Sequence, residues 1–423
     1  MSRTLAALLA ATVCAGTAVA QTPPAITAEA PLTLAEALAA ARTRSPGLEA
    51  ADAGIRATDA ARTVAGLRPN PSFEAQTENV AGTGAYRGLS GAETTVGFAL
   101  PIELGGKRSA RIAVADARGD RARLQAAIAL ADLELQVTQA YIEANAAERR
   151  LGIAQDQAGI ATEVLRVATD RVQVGATSPI DQQRAEVLAI NARTAAERSA
   201  RGVAVARANL ARLIGQPVTA PLDGAWFERV GTTGPVLAAG SEGTLALAAA
   251  RADLATASAQ VRLARAQRIP DVTLSAGARR LAATNDVAAV LGLSIPIPLF
   301  NNGRAAISQA RAERDQADAQ SRVARIDAER AIAEAEADVA NAAATANAAR
   351  GPALAAAQEA ARIARIGYGG GKFSQIELLD AERTLSETRA TATDAIAAYH
   401  DAQARLRRLT SLAPADLQKS GDN

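Results

Sequence analysis

The sequence is poor in the side chains that metal sites and many enzymes need. Its 423 residues include one His, one Cys and one Met. Because these residues select soft and borderline metal ions, we expect no resident metal and no cofactor. The single histidine, His400, is expected to lie on a helix face. No nucleophile motif, phosphate-binding loop or dinucleotide fingerprint is found, so we expect no catalytic residues and no enzymatic activity.

Aromatic residues are also scarce, at 2% of the chain. A globular core of this size would normally use more Phe, Tyr and Trp, whereas Ala-rich helices packed at close range do not need them. Acidic and basic residues alternate along the chain, and the formal net charge is only +2. No nucleic-acid-binding surface is therefore predicted.

The N-terminus has the pattern of a removable secretory signal. Arg3 precedes an apolar run, Leu5 to Ala18, that is too short to span a bilayer, and Ala18-Val19-Ala20 forms a cleavage signal. We predict that residues 1–20 are a signal peptide, with a buried first helix as the alternative. Cys14 lies in this segment, so the mature chain would contain no cysteine. No other segment is long and apolar enough for a transmembrane helix.

The sequence repeats itself after 196 residues. VGATSPIDQQRAE (174–186) returns as GGKFSQIELLDAE (370–382), and ALPIELGGKRSA (99–110) returns as PIPLFNNGRAAI (296–307). A unit of this length is too long for a solenoid repeat, so it predicts two structurally equivalent halves. The predicted divisions are a first repeat at 21–215, a connector at 216–240, a second repeat at 241–413 and a C-terminal tail at 414–423.

Each half is predicted to contain a β-hairpin followed by very long helices. The hairpins are predicted at 71–101 and 271–298, where polar and apolar residues alternate and each segment ends at a proline. Coiled-coil helices are predicted at 107–215 and 304–412. The segment from Lys107 to about Gln173 lacks proline and would extend roughly 100 Å as one helix.

Three local signals refine the helices. Thr33 and Glu36 form a capping box at the start of a helix that Pro46 is predicted to end. A second helix follows over 48–67. Gly351-Pro352 interrupts the second long helix, so a kink is expected there.

The predicted strands have about the length that crosses a bilayer at a tilt. Four strands cannot close a barrel, and unpaired strand edges are not tolerated in lipid. Membrane-spanning strands would therefore require several chains to share one barrel. The alternative is a pair of surface hairpins on a soluble helical protein.

Specific segments resemble a known family. PLTLAEALAAARTRSP (31–46), VGATSPIDQQRAE and YGGGKFSQIELLDAERTL (368–385) resemble the TolC-like outer-membrane efflux factors. The order of elements matches that family over essentially the whole mature chain. LRPNPSFEAQTEN (67–79) with PIELGGKRSARI (101–112) resembles its CzcC-type cation-efflux branch.

The resemblance implies a mainly α fold with a small transmembrane β part, built from a duplicated helix–β-hairpin–long helix–helix unit. It implies a homotrimer with an α-barrel tunnel in the periplasm and a shared 12-stranded β-barrel in the outer membrane. The expected partners are outer-membrane lipid, a periplasmic adaptor and an inner-membrane pump of the resistance-nodulation-division type. The expected function is a passive exit duct for heavy-metal cations. Alternatives are an outlet for multidrug efflux or type I protein secretion, or a periplasmic coiled-coil scaffold without a pore.

The resemblance also implies a periplasmic aperture just beyond the second helical tip. Its residues would be Tyr368, Glu377 and Asp380, the two acids following Tyr368 and Gly371, together with the first-repeat equivalents Asp181 and Arg184. Arg184 reverses the charge and permits an ion pair across the aperture. Ringed carboxylates in a narrow mouth attract cations; the alternative is that these are ordinary exposed helix charges. The tip residues expected to meet the adaptor are Gly175, Ser178, Gly371 and Ser374.

Overall fold

The computed structural model describes residues 30–231 and 240–415. The predicted signal peptide, residues 232–239 of the predicted connector and most of the predicted tail lie outside the described residues. The helices are α1 (Leu34–Arg44), α2 (Pro46–Ala65), α3 (Lys107–Gln173), α4 (Pro179–Ile214), α5 (Gly224–Phe227), α6 (Leu245–Gln267), α7 (Arg304–Ala348), α8 (Leu354–Gly369) and α9 (Gln375–Leu409); the strands are β1 (Ser72–Glu78), β2 (Glu93–Ile102), β3 (Val272–Leu281) and β4 (Val287–Ser294).

The first helices begin where their capping residues predict. The Thr33 hydroxyl accepts a hydrogen bond from the Glu36 backbone N–H, and the Glu36 carboxylate accepts one from the Thr33 backbone N–H, so the capping box is confirmed. Pro46 has a different role from the predicted one. α1 has already ended at Arg44, and Pro46 is the first residue of α2, where its missing N–H costs no intrahelical hydrogen bond.

The long helix α3 is the centre of the helical layer. It runs without a break from Lys107 to Gln173, as predicted. It packs against α1, α2, α4, α6 and α9. More than half of the buried apolar side chains in the described residues are alanines. Small side chains allow helix axes to approach closely, which explains how the chain forms its core with few aromatic residues.

The second repeat has two helices, α7 and α8, in the place of the single helix α3. α7 and α8 are separated by one turn of π-helix, Ala349–Ala353, which contains Gly351 and Pro352, where the sequence predicted an interruption. Proline lacks the N–H that an α-helical turn requires and clashes with the preceding turn. The wider π turn accommodates this local mismatch and lets the helix continue.

The four strands form one antiparallel sheet in the order β1-β2-β3-β4. The predicted hairpins are its outer pairs, and the β2–β3 pair joins the two halves, with Gly97 opposite Gly277. The strand ends differ from the prediction. β2 continues past Pro101 to Ile102, and β4 ends at Ser294, four residues before Pro298. Pro296 and Pro298 cannot donate hydrogen bonds to a neighbouring strand, so pairing stops before them.

The two faces of the sheet differ in chemistry. One row of paired residues consists of Phe73, Phe98, Ala276 and Leu291, and the adjacent row on the opposite face consists of Glu74, Gly97, Gly277 and Val290. The Phe73 and Phe98 rings pack edge to face with centroids 5.5 Å apart, and both remain exposed. No helix among the described residues is both long enough and apolar enough to cross a membrane.

The connector is held against the helices by aromatic side chains. Trp226 stacks on His400 of α9, with ring centroids 4.4 Å apart, and meets Tyr141 of α3 edge to face. His400 is buried, and its Nε2 lies 2.8 Å from the Phe227 carbonyl oxygen. The histidine is thus on a helix, as expected, with its ring turned toward the connector. Arg150–Asp394 ion pairing at 2.8 Å further joins α3 to α9.

Candidate aperture at the helical tips

The two repeats turn with the same local geometry at one end of the helical layer. Gly175 and Gly371 have positive φ angles of 71° and 69°, a conformation that glycine adopts without steric cost. Ser178 and Ser374 then cap α4 and α9 by accepting backbone hydrogen bonds through their hydroxyl groups. All four predicted tip residues therefore occupy equivalent turn positions.

The structure brings the two tips together through a shared core. Tyr368 is buried, in one cluster with Val164 and Ala168 of α3, Ala185 of α4 and Leu378 of α9. Because α3, α4, α8 and α9 all contribute to this cluster, displacement of one tip changes the packing of the other. Tyr368, which the sequence assigned to the aperture, therefore lies in the core between the tip helices.

Glu377 has a specific local role in addition to its charge. Its carboxylate accepts a hydrogen bond from the Ser374 backbone N–H at 2.7 Å, which completes a capping box at the start of α9. That N–H, followed by the Ser374 hydroxyl, holds the pKa of the Glu377 carboxyl below its ordinary value of 4.5. Glu377 is exposed and is oriented toward the tip.

Asp380 lies one turn further along α9 and is also exposed. Its carboxylate is 3.7 Å from the Arg383 guanidinium, on its own helix. Glu377 and Asp380 therefore form a short acidic surface on the first two turns of α9. An arginine close to one of the carboxylates reduces its local field without removing its charge.

The first-repeat equivalents have partners within the chain. Asp181 accepts a hydrogen bond from the Thr177 hydroxyl at 2.5 Å, and its carboxylate is 3.9 Å from Arg184. The sequence suggested that Arg184 could pair across an aperture. Within one chain it lies beside Asp181 and remains largely exposed, so its guanidinium is accessible to a neighbouring group.

Sequence reasoning missed three supporting residues. Arg171 of α3 stacks over the Tyr368 ring, and Phe373 packs so closely on Gly367 that a Cβ there would lie 2.1 Å from the ring. Glu382 is buried and ion-paired with Arg365. The Arg171 and Phe373 contacts join residues of different helices or turns, which one-dimensional periodicity does not pair. The repeat had matched Glu382 with Glu186 without indicating that only Glu382 is buried.

The chemistry available at the tips is electrostatic. Within residues 30–231 and 240–415, no group of three His, Cys, Asp or Glu side chains is arranged to hold a metal ion. The tips instead combine exposed carboxylates with tight glycine turns and one shared core. Exposed carboxylates attract cations and repel anions in their neighbourhood.

Two equivalent halves that share one amphipathic sheet and one long helical layer define a TolC-like channel fold. The family model described as "Outer membrane efflux protein" matches residues 37–216 and 242–411, and the chain belongs to this family. The predicted TolC-like family and outer-membrane location are thereby confirmed. The family comprises efflux proteins of the outer membrane and is not a family of enzymes.

Three known proteins illustrate the similarity. The cobalt-zinc-cadmium resistance protein CzcC of Cupriavidus metallidurans is 30% identical over 365 residues, covering 86% of each chain. The nickel-cobalt-cadmium resistance protein NccC of Alcaligenes xylosoxydans xylosoxydans is 32% identical, covering 71% of this chain and 68% of that protein. The crystal structure of the Vibrio cholerae outer membrane protein VceC is 21% identical and superposes with a TM-score of 0.73, covering 90% of this chain and 96% of that one.

Proposed function

We propose that three copies of this chain form the passive exit duct of a tripartite efflux system for heavy-metal cations. In this proposal the helical tips meet a periplasmic adaptor and an inner-membrane pump of the resistance-nodulation-division type. Binding of these partners dilates the aperture near Glu377 and Asp380. Cargo then diffuses through the helical tunnel and leaves through a shared β-barrel.

The observation that carries the proposal is the amphipathic sheet. Its apolar face exposes large side chains, including Phe73, Phe98 and Leu291, while the opposite face contains Glu74 and Arg279. β1 and β4 are its free edges. Lipid solvates an apolar face, but unpaired edges in lipid require a partner, and other copies of the same sheet supply one. A water-soluble scaffold would leave this apolar surface exposed to water.

The helices support the same assembly. α4 packs mainly against α3, and α8 packs mainly against α9. Each also exposes apolar residues: Ile190 and Val205 on α4, and Ile363 and Ile366 on α8. Apolar surfaces on two different helices favour a head-to-tail contact between copies, which closes into a ring when the rotation between copies is suitable.

The cargo is proposed from the relatives and from the charge of the tips. CzcC is named for resistance to cobalt, zinc and cadmium, and NccC for resistance to nickel, cobalt and cadmium. The carboxylates of Glu377 and Asp380 would favour cations at the mouth, whereas recognition of a particular metal needs ligands such as His, Cys or Met. Selection among metals is therefore assigned to the other components, and this chain supplies the route.

Planar-bilayer recording of the purified protein tests the aperture. Glu377→Gln with Asp380→Asn removes both charges while glutamine retains the capping-box hydrogen bond. We expect a higher single-channel conductance and a weaker preference for cations than in the wild type. Glu36→Gln makes the same change in the capping box of α1 and serves as the control. Unchanged conductance and ion preference would remove both residues from the aperture.

Two further measurements separate the other functions. A water-soluble monomer or dimer without conductance would favour the coiled-coil scaffold. For a conducting trimer, metal sensitivity of a deletion strain supports the proposed cargo. Sensitivity only to organic toxins, or loss of a secreted protein, would instead indicate a drug or type I secretion outlet.

A further inference from the structure

A buried ion pair lies between the two helices that end at the second tip. Glu382 of α9 is 2% exposed, and its carboxylate receives two hydrogen bonds from the Arg365 guanidinium of α8. The Arg365 Nη2–Glu382 Oε2 distance is 2.9 Å. Arg365 itself is half exposed, so the charge that depends on the pair for its solvation is the glutamate.

The ion pair occupies a core position of a coiled coil. Leu378 and Leu385 are buried on either side of Glu382 and are seven residues apart. They face a row of small residues on α8 that repeats at the same spacing: Ala357, Ala361 and Ala364. Leu354 and Tyr368 pack on the same clusters at the two ends of this row, but between them the equal methyl groups present nearly the same surface after a shift of one turn and specify register weakly. A single buried polar group at a core position is an established way of fixing register.

The adjoining turn is joined to α8 by backbone hydrogen bonds from Lys372 and Phe373 to the Gly367 carbonyl oxygen, and it contains more glycine than the first tip. Gly369 ends α8 and is followed in the turn by Gly370 and Gly371, and glycine has wide backbone freedom. The first tip has only Gly175 between α3 and Ser178. Its equivalent carboxylate, Glu186, is exposed. The buried ion pair thus occurs in the hairpin whose turn contains more glycine.

The same residue also contacts the first repeat. The Gln157 side chain on α3 donates a hydrogen bond to the Glu382 backbone carbonyl at 3.2 Å. Glu382 therefore lies where α3, α8 and α9 meet, about half a turn beyond Asp380. A shift of α9 along α8 would move both aperture carboxylates relative to Tyr368 and to α3.

We propose that the Arg365–Glu382 pair is a register lock that holds α9 at one height against α8 and thereby positions Glu377 and Asp380. Both residues of the pair are positioning residues, and their role at an aperture rests on the proposed function. The lock makes α8 and α9 move as one body when the tip is displaced. Contacts between repeats, such as Arg171 with Tyr368, are the ones that change during that movement.

Spin-label distances measure the register without requiring a channel. Nitroxides are placed on cysteines at Arg362 of α8 and Glu387 of α9, which are exposed, in the full mature chain diluted with unlabelled chain. Glu382→Leu completes the apolar seam and releases the lock. We expect a broadened distribution or a shift of about 5 Å, the rise of one helical turn. Glu382→Gln keeps nearly the shape of glutamate, so it is the variant less prone to misfold, and it should broaden the distribution less than Glu382→Leu does. Glu186→Leu is the matched control and should leave it unchanged.

Thermal stability and conductance distinguish a lock from a merely stabilising contact. Removing the buried charge in Glu382→Leu should leave Tm equal to or above wild type, whereas Arg365→Met should lower it by leaving a carboxylate buried without its partner. Glu382→Leu should nevertheless raise the conductance or its fluctuations. A wild-type distance distribution in both Glu382 variants would overturn the lock. Changed distances without any channel in the wild type would retain the lock and reject the proposed function.

Discussion

Arg171 of α3 lies over the ring of Tyr368 of α8, with its guanidinium carbon 4.5 Å from the ring centroid. Its Nη2 also donates to the Tyr368 carbonyl oxygen at 3.4 Å. The contact joins the last turns of two helices from different repeats. Since Tyr368 belongs to the core that all four tip helices share, Arg171 couples the position of the first tip to that of the second.

Replacing Arg171 with Leu should therefore loosen the tips. A cation–π contact of this kind contributes about 0.5–1 kcal/mol at exposed sites, so we expect a modest fall in Tm and a higher channel conductance. Arg171→Lys retains the charge over the ring, so its Tm and conductance should lie between those of the wild type and those of Arg171→Leu. Arg198→Leu, on an exposed arginine further along α4 and away from the tips, is the control. If conductance in Arg171→Leu equals that of the wild type, the contact does not hold the aperture closed.

The capping box makes a prediction about pH. The hydrogen bonds from Ser374 lower the pKa of Glu377 from its ordinary value of 4.5. The unfolded chain therefore binds this proton at a higher pH than the folded chain does. The stabilisation from Glu377 is present above pH 4.5 and is lost as the pH falls through the lower folded-state pKa.

The charge of Glu377 should consequently persist at the aperture below pH 4.5. Reversal potentials recorded between pH 7 and pH 3 should show that a cation preference remains at pH 4.5 and disappears at lower pH. In Glu377→Gln the preference that persists below pH 4.5 should be weaker than in the wild type, because the charge of Glu377 no longer contributes to it. A preference that vanishes well above pH 4.5 in the wild type would contradict the lowered pKa.

Regular features of the fold could be predicted because they repeat along the sequence. The proline-free segment gave both ends of α3, and Gly351-Pro352 located the interruption between α7 and α8. Alternation identified the strands. The pairing of β2 with β3 could not be predicted in the same way. It joins residues about 180 positions apart, and no local sequence pattern specifies which residues lie opposite each other. The π turn also did not follow, since proline requires an adjustment without dictating its form.

The local structure at the candidate site was predictable only in part. The family resemblance selected Glu377 and Asp380. The Ser374-x-x-Glu377 capping box has the same form as Thr33-x-x-Glu36, which sequence alone identified, so this role was readable from the chain. The burial of Glu382 could not be predicted from the sequence. A charged side chain is usually exposed unless it is paired, and the sequence does not identify its partner on α8.

Two glycines on the same face of the sheet should respond differently to substitution. A Cβ at Gly277 would lie 2.4 Å from the Val96 carbonyl oxygen, which is backbone and cannot move without disturbing the β2–β3 pair. A Cβ at Gly292 would lie 2.3 Å from the Ser275 hydroxyl, and a side chain can rotate away. We expect Gly277→Ala to destabilise the protein by about 1–3 kcal/mol and Gly292→Ala to have little effect. Thermal unfolding of the detergent-extracted protein measures both, and equal losses would contradict this account of the sheet.

The two faces of the sheet make the sharpest test of membrane insertion. Leu291 is on the apolar face, beside Ala276 and in the same row as Phe73 and Phe98. An arginine there would enter lipid, at a cost of about 2–4 kcal/mol near the bilayer midplane. We expect Leu291→Arg to reduce the amount of assembled protein in outer-membrane fractions.

Val290 provides the matched control because it is the adjacent residue on the same strand. It lies on the opposite face, paired with Gly277, which leaves room for a longer side chain. Val290→Arg would place its charge in the water-filled lumen of the proposed barrel, so we expect normal assembly and a weaker preference for cations. Equal assembly of both arginine variants would indicate that neither face meets lipid. Loss of assembly in Val290→Arg alone would reverse the assignment of the two faces.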